Sequence, residues 1–305
     1  MPTQTEKLLS HKKKRTGIIV PLLEDLLMKP LEVENKDDAG VINGLLLKQM
    51  EREKEREARK FYSPSSLASC LRQVYLSRHY KELEVKKKRV TKPDMNYYFA
   101  TGNFLHLKWQ FALYKLNKAV HHDVFQLWGL EVPVESKHGD HGGTIDALAY
   151  INKRLYALDF KGVNVRTFAK AVDGEVEMKY KVQISDYGML VNSSRSMKGI
   201  KIESGLIVYE NKGGPDAQHP IALHEVEVPV KDYLPEIKFR LERLRAHEKG
   251  NTIPEPECTS IRETQFQGCP FREYCKAEVK AASNGSDPSE YKLAVPKKRR
   301  ANRSK

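Results

Sequence analysis

GGTIDALAYINKRLYALDFKG, residues 142–162, reads as two strands joined by a turn. Apolar and aromatic residues fall on alternate positions, the period of a half-buried strand. Asn152, Lys153 and Arg154 supply a tight polar turn between the runs 143–151 and 154–161. Two acids interrupt this pattern. Asp146 lies in the first run and Asp159 in the second, 6 to 7 residues either side of the turn, so the hairpin sets them almost opposite one another. Lys161 is two residues beyond Asp159 and points to the same face. A buried carboxylate is costly unless it is paired, hydrogen-bonded or bound to a metal. Side by side, two carboxylates repel unless a divalent cation lies between them. A lysine next to them can orient an attacking water and offset charge on a phosphorane-like transition state. Hard oxygen ligands and phosphate chemistry select magnesium or manganese over zinc.

Working outward, a further strand precedes the hairpin at about 124–134, VFQLWGLEVPV. Before it, 95–120 reads as a helix, with Phe104, Leu107, Phe111 and Leu116 at the helical period. After it come a helix at 178–191, strands at 204–211 and 221–230, and a helix over 231–250 that ends near Gly250. Upstream, FYSPSSLASCLRQVYLSRHY reads as one helix, with Ser63 as N-cap and Pro64 at the first helical position. The order helix, three strands, helix, strand predicts an α/β protein with helices about a mixed sheet.

With 305 residues, of which 40% are hydrophobic, the chain can bury the core of one large domain with extensions, or of two modest ones. A net charge of +13 favours a polyanionic partner, because basic proteins bind nucleic acid by releasing condensed counterions. No stretch approaches the roughly 20 apolar residues of a spanning helix. In HKKKRTGIIVPLLEDLL, acids and Pro21 cut the apolar run short of a secretory pattern. These features lead us to expect a cytoplasmic protein (nucleoid-associated, or in host-cell cytoplasm if viral) with no membrane partner. Residues 1–60 read as a basic, partly helical, peripheral extension, 61–280 as the main domain, and 281–305 as a disordered basic tail. The four cysteines are Cys70, Cys258, Cys269 and Cys275. Without an export signal, one early and three late cysteines fit a four-ligand metal or cluster site better than disulfides.

The acids and the lysine resemble the site of the PD-(D/E)XK nuclease superfamily. GTID at 143–146 and LDFK at 158–161 look like that family's metal-binding hairpin. GNFLH at 102–106 resembles the histidine motif of its RecB-like branch. YKVQISDY at 180–187 resembles that branch's Gln-x-x-x-Tyr helix, in which Gln183 and Tyr187 lie one turn apart. SPSSLASCLRQVYL at 63–76, with the late cysteines, is similar to the AddB and CRISPR-associated exonuclease type, which carries a four-iron, four-sulfur cluster. The resemblance covers about 61–280.

It implies a restriction-endonuclease-like core (helix, three-stranded meander, helix, strand) with helical additions and a cysteine-cluster region. It implies a divalent-metal-dependent deoxyribonuclease, an exonuclease rather than an endonuclease, which hydrolyses phosphodiesters with a metal-activated water. The substrate would be DNA ends or single-stranded DNA, in recombination, repair or phage DNA processing, with a helicase or recombination protein as a further partner. His106, Asp146, Asp159 and the Phe160 carbonyl would hold Mg2+ or Mn2+. Lys161 would position the nucleophile, and Gln183 and Tyr187 would steady the lysine and the DNA strand. Cys70, Cys258, Cys269 and Cys275 would hold the iron–sulfur cluster, with zinc as the lesser alternative. Two other classes stay open on the residues alone: a non-cleaving DNA-binding or assembly factor on a nuclease fold, and an RNA-processing nuclease.

Overall fold

The structure is a computed structural model that describes residues 17–27, 31–55, 61–87, 93–194, 196–215 and 222–284. The basic run at 11–15 and all but the first residues of the expected basic tail lie outside the described residues.

Five strands form one mixed sheet in the order β1-β2-β3-β4-β5: β1 Phe125–Glu135, β2 Gly142–Ile151, β3 Arg154–Val163, β4 Ser204–Asn211 and β5 Leu223–Pro229. The first three make an antiparallel meander, β4 lies parallel to β3, and β5 returns antiparallel to β4. The β2–β3 turn falls where the sequence places it. Asn152 and Lys153 both take positive φ, 49° and 66°, the pair of left-handed residues that a two-residue hairpin turn requires.

Helices cover both faces of the sheet. In chain order they are α1 Val20–Leu27, α2 Lys36–Glu55, α3 Pro64–Leu67, α4 Leu71–His79, α5 Pro93–Ala119, α6 Val165–Val172, α7 Met178–Ser193, α8 Val230–Gly250, α9 Thr264–Gly268 and α10 Arg272–Ser283. On one face, Ile19 just before α1, Leu23 of α1 and Trp109, Leu113 and Leu116 of α5 pack on Ala147, Ala149, Leu158, Phe160 and Val208. On the other, Phe168 of α6 and Ile184, Tyr187 and Leu190 of α7 pack on Ile145, Leu148, Ala157, Ile207 and Tyr209. Strand β3 sends Tyr156, Leu158 and Phe160 to the first layer and Leu155, Ala157 and Val163 to the second. A strand covered on both faces reads as a near-continuous apolar run. Asp159 is the polar intrusion in that run, only 2% exposed.

Three sequence expectations differ from the structure. The helix expected from Pro64 onward is two helices, broken around Ser69 and Cys70, so Cys70 stands at the start of α4 instead of inside a continuous helix. Ser63 makes no side-chain cap bond. Its hydroxyl meets those of Ser65 and Ser66, at 3.3 and 2.9 Å. The expected peripheral extension contributes to the core, because Ile19 and Leu23 are fully buried. The N-terminus of α1 is capped from far along the chain: the Glu225 carboxylate accepts the Ile19 and Val20 backbone N–H groups, each at 2.8 Å, and that of Ile18. Helix α2 is anchored by Asp38, fully buried, which receives Lys115 and Lys118 of α5 at 3.0 Å each.

The far end of the domain holds a third core. Leu67, Leu71 and Tyr75 pack against Ile237, Leu241 and Leu244 of α8 and against Phe271. Helix α7 is pinned to the start of β2 by His141 Nε2 and Asp186 Oδ2, 2.8 Å apart and both fully buried. The β1–β2 turn is held to α8 by Arg245, which donates two bonds to Asp140 at 2.6 and 3.1 Å.

Candidate active site

The β2–β3 ladder runs from Ile151 and Arg154 up to Ala147 and Leu158, and stops there. The next pair in register would be Asp146 and Asp159. At that point the Asp146 side chain takes over from the backbone, and its Oδ2 accepts the Phe160 N–H at 3.0 Å. The strands therefore open at the two acids. An extended residue sends its N–H and C=O toward the same edge, so the Phe160 carbonyl also faces this opening. The Phe160 ring points away, buried against α5.

Two helices and the continuation of β3 reach the opening. From α5, His106 Nδ1 lies 3.1 Å from Asp146 Oδ2. From β3, Lys161 Nζ sits astride the Asp159 carboxylate, 3.0 Å from Oδ1 and 2.8 Å from Oδ2. From α7, Gln183 Nε2 donates to Asp159 Oδ1 at 3.0 Å. The ring beside Lys161 is that of Tyr180, with its centre 5.1 Å from Nζ. Tyr187 packs a turn further on, where a Cβ on Gly143 would touch it at 3.2 Å. Tyr180 was not singled out in the sequence. Its position one α-helical turn before Gln183 was the available signal.

The electrostatics follow from burial set against pairing. Burial pushes the Asp146 carboxyl up, but His106, Lys161 and the Phe160 amide outweigh it and hold the group below its ordinary value. Burial wins at Asp159, which is raised in spite of Lys161. Lys161 is raised: burial opposes its charge, and Asp159, then Asp146, overcome that. His106 is raised mainly by Asp146. The two acids are thus held at different protonation tendencies in one cleft, with Lys161 and His106 as their partners.

The four cysteines come from two distant segments, Cys70 from one and the other three from 258–275, and line one small cavity with Gln73, Phe266, Phe271 and Val279. All four are free thiols, 5–8% exposed. Burial pushes the Cys258 thiol up to about 12 and that of Cys275 up to about 11, and it raises Cys269 as well. The neighbouring cysteines push the same way. The raised thiols of Cys258, Cys269 and Cys275 would give up their protons more readily once a metal ion or cluster brought positive charge among them. Arg72, 4% exposed, lies beside them: Nη2 is 2.9 Å from Glu278 and Nη1 is 3.9 Å from Cys275 Sγ. Among the described residues, no group of three or more His, Cys, Asp or Glu side chains is in place to hold a metal ion as it stands. At the acid cleft the carboxylates are paired, Asp159 with Lys161 and Asp146 with His106.

No family model matches the chain, and no curated protein does. Among solved structures, one described as "Crystal structure of SSO0001" aligns with 15% identity and a TM-score of 0.40, over 80% of this chain and 98% of that one. Among the described residues, no helix is long and apolar enough to cross a membrane.

Proposed function

We propose that the chain is a divalent-metal-dependent deoxyribonuclease of the PD-(D/E)XK, RecB-like kind, an exonuclease acting on DNA ends or single strands. The carrying observation is the opening of β2 and β3 at Asp146 and Asp159, with His106, Lys161 and Gln183 brought onto those two acids from separate elements. Stability alone does not account for such a cluster. Replacing a buried ion pair with well-packed apolar residues is often neutral or favourable. Perturbed acids with named charge partners in a cleft are the arrangement that catalysis uses.

The donors fit a hard divalent cation: two carboxylates, one imidazole and the Phe160 carbonyl. When bound there, Mg2+ or Mn2+ would acidify a coordinated water and offset charge on the phosphate. The chain's own groups do the rest. Gln183 fixes the Asp159 carboxylate, so its oxygens keep one orientation. The Phe160 amide does the same for Asp146. Lys161, moved off Asp159, would present its ammonium to a phosphate oxygen, and the Tyr180 ring limits where that ammonium can go. The four cysteines would hold an iron–sulfur cluster, with zinc as the lesser alternative. Either would join Cys70 at the start of α4 to the segment 258–275, as a structural staple.

The test is a titration of Mg2+ and Mn2+ against end-labelled single- and double-stranded DNA, with RNA as competitor. Cleavage of DNA only when metal is present is expected. DNA that is bound but left whole at every metal concentration would assign the chain to a non-cleaving factor, and preferential cleavage of RNA would assign it to RNA processing.

A further inference from the structure

Glu210 stands near the end of β4 and touches none of the groups assigned a role above. Both of its oxygens are taken by α5. Trp109 Nε1 donates to Oε2 at 2.6 Å, and Lys108 Nζ to Oε1 at 2.6 Å. The Lys108 ammonium also lies 4.3 Å from the centre of the Trp109 ring. The indole is 1% exposed and stacks on Phe160, with ring centres 5.7 Å apart and planes at 7°. Phe160 is the residue whose N–H holds Asp146.

Opposite Glu210 in the β3–β4 ladder is Gly162. Leu105 rests on its bare backbone. A Cβ there would run into Leu105 Cδ1 and come within 2.8 Å of Lys212 Cε. Leu105, His106, Lys108 and Trp109 lie within little more than one turn of α5. Whatever fixes the others therefore fixes His106.

The apolar contacts of α5, such as those of Leu113 and Leu116, hold it against the sheet but have little directionality and would tolerate a small slide. Hydrogen bonds to a carboxylate are directional and short. A buried indole N–H also needs a partner, so Trp109 binds the helix to whichever acceptor the sheet offers. We infer that Glu210, through Lys108 and Trp109, is a positioning residue that sets the register of α5 on the sheet. In this way it holds His106 against Asp146 and governs how tightly the cleft takes a divalent cation. The inference rests on the nuclease reading.

The test measures Mn2+ affinity by calorimetry and electron paramagnetic resonance in wild type, Glu210→Gln, Trp109→Phe and Leu116→Ala. Trp109→Phe keeps a ring to stack on Phe160 but loses the N–H together with part of the buried indole volume, which is why the cavity variant Leu116→Ala stands beside it. A direct outer partner of a metal ligand is typically worth about 10-fold or more in affinity; Glu210 acts one contact further out, through Lys108 and Trp109, so a loss of about 10-fold is expected in Glu210→Gln and Trp109→Phe. Excess Mn2+ should restore their cleavage, with KM for DNA unchanged. Leu116→Ala, further along the same helix and 2% exposed, should lower the melting temperature through a cavity yet keep wild-type affinity. If the Glu210 and Trp109 variants fail to fold, Lys108→Met, which removes one bond at a partly exposed position, carries the same expectation. Wild-type affinity in the variants, or losses that merely track melting temperature in all of them, would overturn the inference. A wild-type protein that binds no Mn2+ would overturn the nuclease reading and this inference with it.

Discussion

Replacing Lys161 with methionine isolates the cost of the buried acid from any question of activity. The side chains are similar in length, so packing is largely kept. Asp159 then retains Gln183 at Oδ1, while Oδ2 loses its 2.8 Å partner. The Asp159 side chain is 3% exposed and that of Lys161 17%, which places the pair nearer the buried limit than the surface one. Breaking a buried pair costs about 3–5 kcal/mol, against roughly 0–1 kcal/mol at the surface, so a loss of about 3 kcal/mol is expected for metal-free protein near neutral pH.

The pH dependence has a definite sign. Burial already raises the Asp159 carboxyl in the folded chain, and removing Lys161 takes away the main influence that lowers it. The folded variant then holds more protons than the unfolded chain, so its stability falls as pH rises. The penalty should be small below the unfolded carboxyl value of about 3.9 and should grow as pH rises through it and on to the raised folded value. Urea unfolding in a chelator across this range measures the effect, and Asp159→Asn added to Lys161→Met should recover most of the loss. A loss under about 1 kcal/mol at neutral pH, or one independent of pH, would refute the claim that these two groups form a buried, mutually dependent pair.

Three further outcomes follow from other parts of the fold. Gly162→Ala sets a methyl against Leu105 and should cost about 1–3 kcal/mol by overpacking, read as a lower melting temperature. Arg245→Ala frees Asp140, where Arg245 and Ser136 overcome burial to hold the carboxyl at about 2. Because Arg245 is 38% exposed, the loss near neutral pH should stay below about 1 kcal/mol, and the variant should show a weaker fall in stability between about pH 4 and 2. Protein purified without oxygen should be brown and contain iron and sulfide, and Cys258→Ser should lower both together. A colourless protein with one zinc per chain would replace the cluster by zinc.

The sheet was legible because its signals are local. Alternation marks 125–163, and the Asn152–Lys153 turn fixes the register that brings Asp146 and Asp159 together. The break at Cys70 was not legible, since Leu67, Leu71 and Val74 keep a helical period straight across it. Helix α6 is only eight residues long, too short for its periodicity to stand out from the loop around it. Helix α1 owes its N-terminal cap to Glu225, some 200 residues away, which no local pattern can reveal. Within the cleft, the acids and Lys161 were visible as polar residues in apolar strands. Tyr180 and Glu210 were not, because their roles exist only once α7, α5 and β4 are packed together.

The most direct measurement is the rate of phosphodiester cleavage by Asp146→Asn and Lys161→Ala beside wild type. It would use end-labelled single-stranded DNA with Mg2+ or Mn2+, and binding of the same DNA measured in parallel. Metal-dependent cutting by wild type, with binding kept and cutting abolished in both variants, is the predicted result. Cleavage by either variant at the wild-type rate would contradict the assignment of these residues to the reaction.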